Sequence, residues 1–449
     1  MELLLVVICA GLAAQESDSD RLRRLEEQAK KQQAEIDELK KKPLAPAGDF
    51  ELLFTDGLHI KSRGGDFDLN LGGRFIEHYR LVLGRPDVSR TVPDTFFVRE
   101  SFIELEGTVY KEFGFRMYGD FTSSAGGPVA SIETAWVEWK RFEEFRIIFG
   151  QFKAPNSMET MSSTLFPDCV ERSILSRFVP GLELGINAYG KLWDGLLTYQ
   201  AALTNGRSHL ASAGRTRNDD NDEKEVLGRL TLSPFVGDKD SFLSKLRLGV
   251  YGSRGGADDV AMDPNFDVAT TELSVTYLDS TAGFLDGRRT RMGAELSWAV
   301  GPASLRGELL FREDEIRDAA STVEEDLPTR AWYAQATWIL TGEEKFVESR
   351  ITPARPFNPG EGGWGAFEVV FRIAGAETGE DEFVAVGNTL VGQSNEVRTF
   401  TTGFNWYPIK HVRFSANYIH EDYREDVDFG GGRVEDALDG FLLRFQIDL

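Results

Sequence analysis

From Phe50 to the last residue, apolar and polar side chains alternate with a period of two, and this pattern constrains the chain more than any other feature. Phe67, Leu69, Leu71, Gly73 and Phe75, then Tyr79, Leu81 and Leu83, stand between mostly polar neighbours. Ile103, Leu105, Gly107 and Val109 do the same against Glu104, Glu106 and Thr108. Phe113, Phe115, Met117, Gly119 and Phe121 alternate with Gly114, Arg116, Tyr118 and Asp120. The chain closes on Phe441, Leu443, Phe445, Ile447 and Leu449 against Leu442, Arg444, Gln446 and Asp448. A period of two puts the two sets on opposite faces of a β-strand. Similar stretches recur near 131–141, 145–151, 182–190, 191–203, 225–233, 245–254, 270–279, 290–299, 303–313, 331–341, 364–374, 397–407 and 411–420. These make seventeen segments. A closed single-chain bacterial barrel has an even number of strands, so one of these assignments is wrong.

A soluble sandwich would turn its apolar faces inward and join its strands by shorter loops. Here the segments run about ten residues and carry aromatic residues near their ends: Tyr110, Trp136, Trp139, Trp332, Trp338, Trp406, Tyr407 and Tyr418. That is the pattern of a barrel whose outer face meets lipid and whose lumen is polar. The expected fold is all-β: a transmembrane antiparallel β-barrel, with sixteen strands as the expected number and a lumen wide enough for water. After residue 14 no run of eighteen apolar residues occurs, so helical membrane spans are not expected.

The N-terminal part reads differently. Leu3 to Ala14 is an apolar run ending in small residues, the h-region and cleavage site of a signal peptide over 1–14, although Glu2 stands where a Lys or Arg is usual. Residues 15–48 read as a periplasmic helix and linker. Leu22, Leu25, Ala29, Gln32, Ile36 and Leu39 recur at spacings of three and four, the a/d seam of a short coiled coil. Pro43 to Gly48 ends it. Residues 49–449 are then the barrel domain.

Composition removes several function classes. The net charge of −23 argues against nucleic acid as a partner, because phosphate backbones need clustered positive charge. Cys9 falls in the signal segment and only Cys169 remains beyond it, so neither a disulfide framework nor a thiolate zinc site is expected. His59, His78, His209, His411 and His420 never fall at metal-ligand spacing. No cofactor is expected. No G-x-S-x-G, H-E-x-x-H or P-loop occurs, which speaks against an enzyme. A structural alternative is a barrel that tethers the envelope through its coiled coil.

Four stretches carry a family resemblance. The first is Gly150–Pro155 (GQFKAP), continuing through Met158–Ser163 (METMSS) to Val170–Ser173 (VERS). The second is Tyr333–Glu343 (YAQATWILTGE). The third, and most specific, is Arg355–Phe357 (RPF) followed by Gly362–Glu368 (GGWGAFE). The fourth joins Gly403–Tyr407 (GFNWY), Val412–Phe414 (VRF) and Asn417–His420 (NYIH). In this order they resemble the phosphate-selective porin O and P family of the outer membrane. The resemblance implies a sixteen-stranded, homotrimeric porin in outer-membrane lipid, with small anions such as phosphate or polyphosphate as permeant solutes. It also implies lysines and an arginine ladder in the pore. Ser162 and Ser163 match the family's hydroxyl pair, but Glu159 and Thr160 stand where a lysine is expected beside them, and Leu449 replaces the usual terminal aromatic.

The segment from Phe152 to Pro180 is too long for a simple turn between two strands and is the candidate constriction. Fixed charges there would set the electrostatic barrier to permeation. It offers Lys153, Arg172 and Arg177 as cations, with Ser162, Ser163 and Thr164 as hydroxyl donors, against Glu159, Asp168, Glu171 and Glu183. The bland alternative is a loop packed on the wall with Arg172 and Glu171 merely paired. Arg74, Arg99, Arg116, Arg372, Arg413 and Arg444 sit on strands and could form a basic stripe, since guanidinium groups suit oxyanions, or could simply pair with lumen carboxylates. If much of the negative charge faced the lumen, cations or neutral solutes would pass better than phosphate.

Overall fold

The computed structural model describes residues 26–27, 30–31, 50–83, 93–122, 131–206, 222–429 and 434–449. The chain forms two compact units, one of Met1–Glu51 with Ser62–Gly64 and one of Leu52–Lys61 with Gly65–Leu449. In the first, Glu26, Glu27, Lys30 and Lys31 are helical. The expected signal segment 1–14 and the seam residues Leu22 to Leu39 lie outside the described residues.

Sixteen strands of the second unit make one closed antiparallel ring. They are β1 (Phe67–Val82), β2 (Thr95–Val109), β3 (Phe113–Asp120), β4 (Ser131–Trp139), β5 (Arg146–Lys153), β6 (Leu182–Leu192), β7 (Leu197–Thr204) and β8 (Glu225–Leu232). The ring continues through β9 (Arg247–Ala261), β10 (Phe284–Val300), β11 (Ala303–Arg317), β12 (Glu324–Ile339), β13 (Ala366–Thr378), β14 (Glu396–Ile409), β15 (Val412–Asp428) and β16 (Val434–Asp448). Each pairs with its successor, and β16 closes on β1 with Gly440 opposite Val82 and Asp448 opposite Arg74. Closure removes the free sheet edge that hydrocarbon would not tolerate.

The alternation sets which face meets which medium, and β11 shows it plainly. Leu305, Leu309 and Phe311 are 44%, 53% and 54% exposed on the outside, while Arg306 and Glu308 are each 2% exposed on the inside. A water-soluble fold would reverse those figures; an outer face bathed in acyl chains requires them. β1 begins and β16 ends at one rim, where most connections are short, such as 110–112, 193–196, 301–302 and 410–411. We call this the turn rim. The opposite, loop rim carries 83–94, 121–130, 154–181, 205–224, 262–283, 318–323, 379–395 and 429–433.

The seventeenth sequence segment, 270–279, is not a barrel strand. It lies in the connection 262–283 as part of a two-stranded ladder between Val268–Ala269 and Thr276–Leu278. Its alternation has a different origin. Leu273, Val275 and Tyr277 are buried inside the barrel with Val170, Ile174, Leu175 and Phe178 of the connection 154–181, against inner-wall residues such as Leu310, Tyr333 and Ala374. The barrel therefore encloses an apolar core, and the lumen is occupied over part of its section rather than open throughout.

Candidate functional site

The connection 154–181 folds into the barrel because the inner wall presents charged donors and acceptors to its backbone. Arg372 Nη1 donates to Glu171 O at 2.9 Å, and Arg413 donates to Pro167 O at 2.6 Å and Asp168 O at 2.8 Å. Arg444 Nη2 reaches Thr164 O at 3.0 Å, and Arg291 Nε reaches Phe178 O at 3.0 Å. Glu308 accepts the amides of Met158 and Glu159 at 3.1 and 2.8 Å, and Asn417 Oδ1 accepts that of Val170 at 2.7 Å. A buried loop would otherwise carry unpaired peptide groups, and these side chains satisfy them. The expected basic stripe is thus largely engaged. Arg372, Arg413 and Arg444 hold the loop, while Arg74, Arg99 and Arg116 pair with Glu100, Glu171 and Glu106 at 2.8, 2.7 and 2.7 Å.

The loop enters from one rim and is pinned by a connection of the other. Asp168 meets Lys345 Nζ at 2.6 Å, Arg306 Nη2 at 3.1 Å and Gln335 Nε2 at 2.7 Å, and Lys345 also meets Glu368 at 2.5 Å. Lys345 belongs to the turn-rim connection 340–365. Burial alone would raise the Asp168 carboxyl; Lys345 and Arg306 outweigh it and bring it down to about 2.

Four of the five candidate constriction residues come together. Lys153, the last residue of β5, donates through Nζ to Ser162 O and reaches Met161 O at 3.4 Å. Arg172 Nη2 donates to the same Ser162 O at 3.1 Å and to Thr160 O at 3.4 Å. Ser162 Oγ donates to Glu159 O at 3.5 Å, and Ser163 Oγ accepts from Arg74 Nη1 at 3.4 Å. Lys153 thus stands beside the serine pair in space, where the sequence places no lysine next to it. Arg177 stands apart. Its Nη2 donates to Thr270 O at 3.2 Å, tying the loop to the connection 262–283. Arg99 joins the cluster through Glu171, the neighbour of Arg172, and is 39% exposed in its side chain.

The second inward segment, 262–283, was not anticipated. Thr271 Oγ1 donates to Arg172 O at 2.6 Å, and Glu272 accepts from Arg372 at 3.0 Å and Thr401 at 2.8 Å. The one signal for it was the surplus segment in the strand count. Toward the turn rim, a recess of about 940 Å3 remains, bounded by Met158 of the loop and by inner-wall Lys191, Arg229, Arg247 and Glu295. It places water-accessible space directly under the loop, against β6 to β10.

Comparison with known proteins agrees with this architecture. The family model described as phosphate-selective porin O and P matches residues 82–446. The chain is similar to Porin O of Pseudomonas aeruginosa, with 25% identity over 425 residues, 89% of this chain and 92% of the relative. Among solved structures, it is similar to the outer membrane channel DcaP of Acinetobacter baumannii, with a TM-score of 0.53 and 11% identity, covering 87% of this chain and 99% of that one. It is also similar to an anion-selective porin from Comamonas acidovorans, with a TM-score of 0.51 and 12% identity, covering 85% and 100%. At these identities the structural likeness is one of fold.

Proposed function

The chain belongs to the phosphate-selective porin O and P family of outer-membrane channels, and we propose that its eyelet for small anions such as phosphate is built by Lys153, Arg172, Ser162 and Ser163, with Arg99 beside them. One observation carries this: two cations, one at the end of a strand and one within the inward loop, converge on the single carbonyl of Ser162. A carbonyl carries no formal charge, so it holds the two cationic side chains next to each other without an ion pair to either. An oxyanion arriving there meets ammonium and guanidinium donors together with serine hydroxyls, which replace part of its hydration shell. The overall charge of −23 opposes anion entry only weakly, because exposed carboxylates are screened beyond about 8 Å at physiological salt. Arg177, bound to Thr270 O, is left out of the eyelet. The channel is proposed to assemble as a homotrimer, with its longer loops facing outward and its turns facing the periplasm.

The test is the reversal potential of the purified channel across a KCl gradient in a planar bilayer. The parent should favour anions. Lys153→Glu with Arg172→Glu should move the potential toward cations, most strongly at low salt, and Arg177→Gln should leave it where it was. A cation-selective parent, or a double variant with an unmoved potential, would refute the eyelet.

A further inference from the structure

Next to the eyelet on its turn-rim side, the inner faces of β3 and β4 carry a feature that the proposed anion path does not use. Arg116 of β3 lies in register between Glu106 of β2 and Trp136 of β4. Its guanidinium carbon is 5.2 Å from the Tyr118 ring centroid and 5.3 Å from the Trp136 ring centroid. Nε and Nη2 both donate to Glu106 Oε2, at 2.9 and 2.7 Å, which leaves the two N–H groups of Nη1 and the second of Nη2 for other acceptors. The side chain is nevertheless 39% exposed. On β5 the residue paired with Trp136 is Gly150 at φ 131°, where an added Cβ would lie 2.8 Å from the Trp136 Cα. Directly opposite Trp136 that strand therefore bears no side chain, while the indole packs against the apolar cluster of Ile148, Phe152, Ala154, Ala202 and Leu227. Arg74, which donates to Ser163 of the eyelet, also lies 5.8 Å from the Tyr118 ring centroid, so the patch is continuous with the eyelet.

We propose that this patch binds aromatic carboxylates. The ring of the solute packs on the Trp136 and Tyr118 rings, and its carboxylate accepts from Arg116 Nη1. The inference rests on the anion-channel reading and goes beyond it to a class of solute. The physical reason lies in the Glu106 partnership. Arg116 is already neutralised by a carboxylate, so it holds little net attraction for a bare inorganic anion. What remains is directional: three N–H groups and two ring surfaces, which together reward a flat apolar body with a carboxylate at its edge. An aliphatic carboxylate of equal charge makes the hydrogen bond without the stacking.

The experiment compares block of the KCl current by 2-naphthoate and by cyclohexanecarboxylate in planar bilayers, with the reversal potential recorded on the same channels. The expected result is a half-blocking concentration roughly ten-fold lower for 2-naphthoate, the size of an aromatic pair contribution. Trp136→Leu and, independently, Tyr118→Leu should abolish the difference while keeping the parent's reversal potential. Equal block by the two anions in an anion-selective parent, or a difference that survives in both variants, would overturn the patch and leave the eyelet standing. A cation-selective parent would overturn the eyelet reading, and the patch with it.

Discussion

Individual ion pairs fix the loop, and Glu171 shows how. Burial alone would raise its carboxyl; Arg99, in contact at 2.7 Å, outweighs that and holds it at about 2, against an ordinary value of 4.5. A depressed carboxyl contributes stability that is fully present above its ordinary value and is lost as pH falls toward its folded value. The parent channel should therefore keep a constant conductance down to the low end of that window. Arg99→Gln removes the stabilising guanidinium and leaves the carboxyl largely buried. Its acid-induced conductance change should begin at or above the ordinary carboxylate range instead. Single-channel conductance against pH measures this, and identical acid profiles for parent and variant would show that Arg99 does not hold Glu171.

The two inward segments act as elements of different kinds. The connection 154–181 is stapled at its far end by Asp168, Lys345 and Glu368. Lys345→Met removes the one ammonium shared by two buried carboxylates, leaving Asp168 with Arg306 but Glu368 with no cation against it among the described residues, and breaking such a buried pair costs roughly 3–5 kcal/mol. The expected outcome is frequent spontaneous closures in current traces and faster protease nicking within 154–181, with the barrel still inserted. The connection 262–283 is held more by apolar packing of Leu273, Val275 and Tyr277. Replacing residues 264–281 by a short Gly-Ser link should raise conductance, because it empties part of the lumen without touching the ring. A conductance at or below that of the parent would mean that this segment lies outside the conducting section.

For the whole molecule, the closed ring makes the barrel self-sufficient, since β16 pairs with β1 along nine residues from Gly440 to Asp448. The seam expected from the sequence, Leu22 to Leu39, spans under three heptads and has Gln32 at a seam position, so a coiled coil there would be a weak association element by itself. Leu25→Lys with Ile36→Lys should leave the proposed trimers intact in mild detergent. Monomers from that variant, seen by native electrophoresis or light scattering, would move the trimer contact from the barrel to the helices.

The strands were legible because each of their residues meets either lipid or lumen, and that choice is written locally in a two-residue period. Leu305, Leu309 and Phe311 needed no partner to be assigned to the outside. The same rule misread 270–279, because a segment packed between an apolar core and water alternates just as a barrel strand does. Lys153, Ser162, Ser163 and Arg172 were legible as a group from their nearness in sequence and from the family's motif. Their real arrangement was not. It depends on Arg413 meeting Pro167, 246 residues away, and on Lys345 meeting Asp168, 177 residues away. The barrel, its two faces and a connection long enough to enter it follow from local chemistry and are readable along the chain. Whether that connection packs inward, and which arginines hold it, depends on ring closure, which alone brings those distant side chains to one side of one loop.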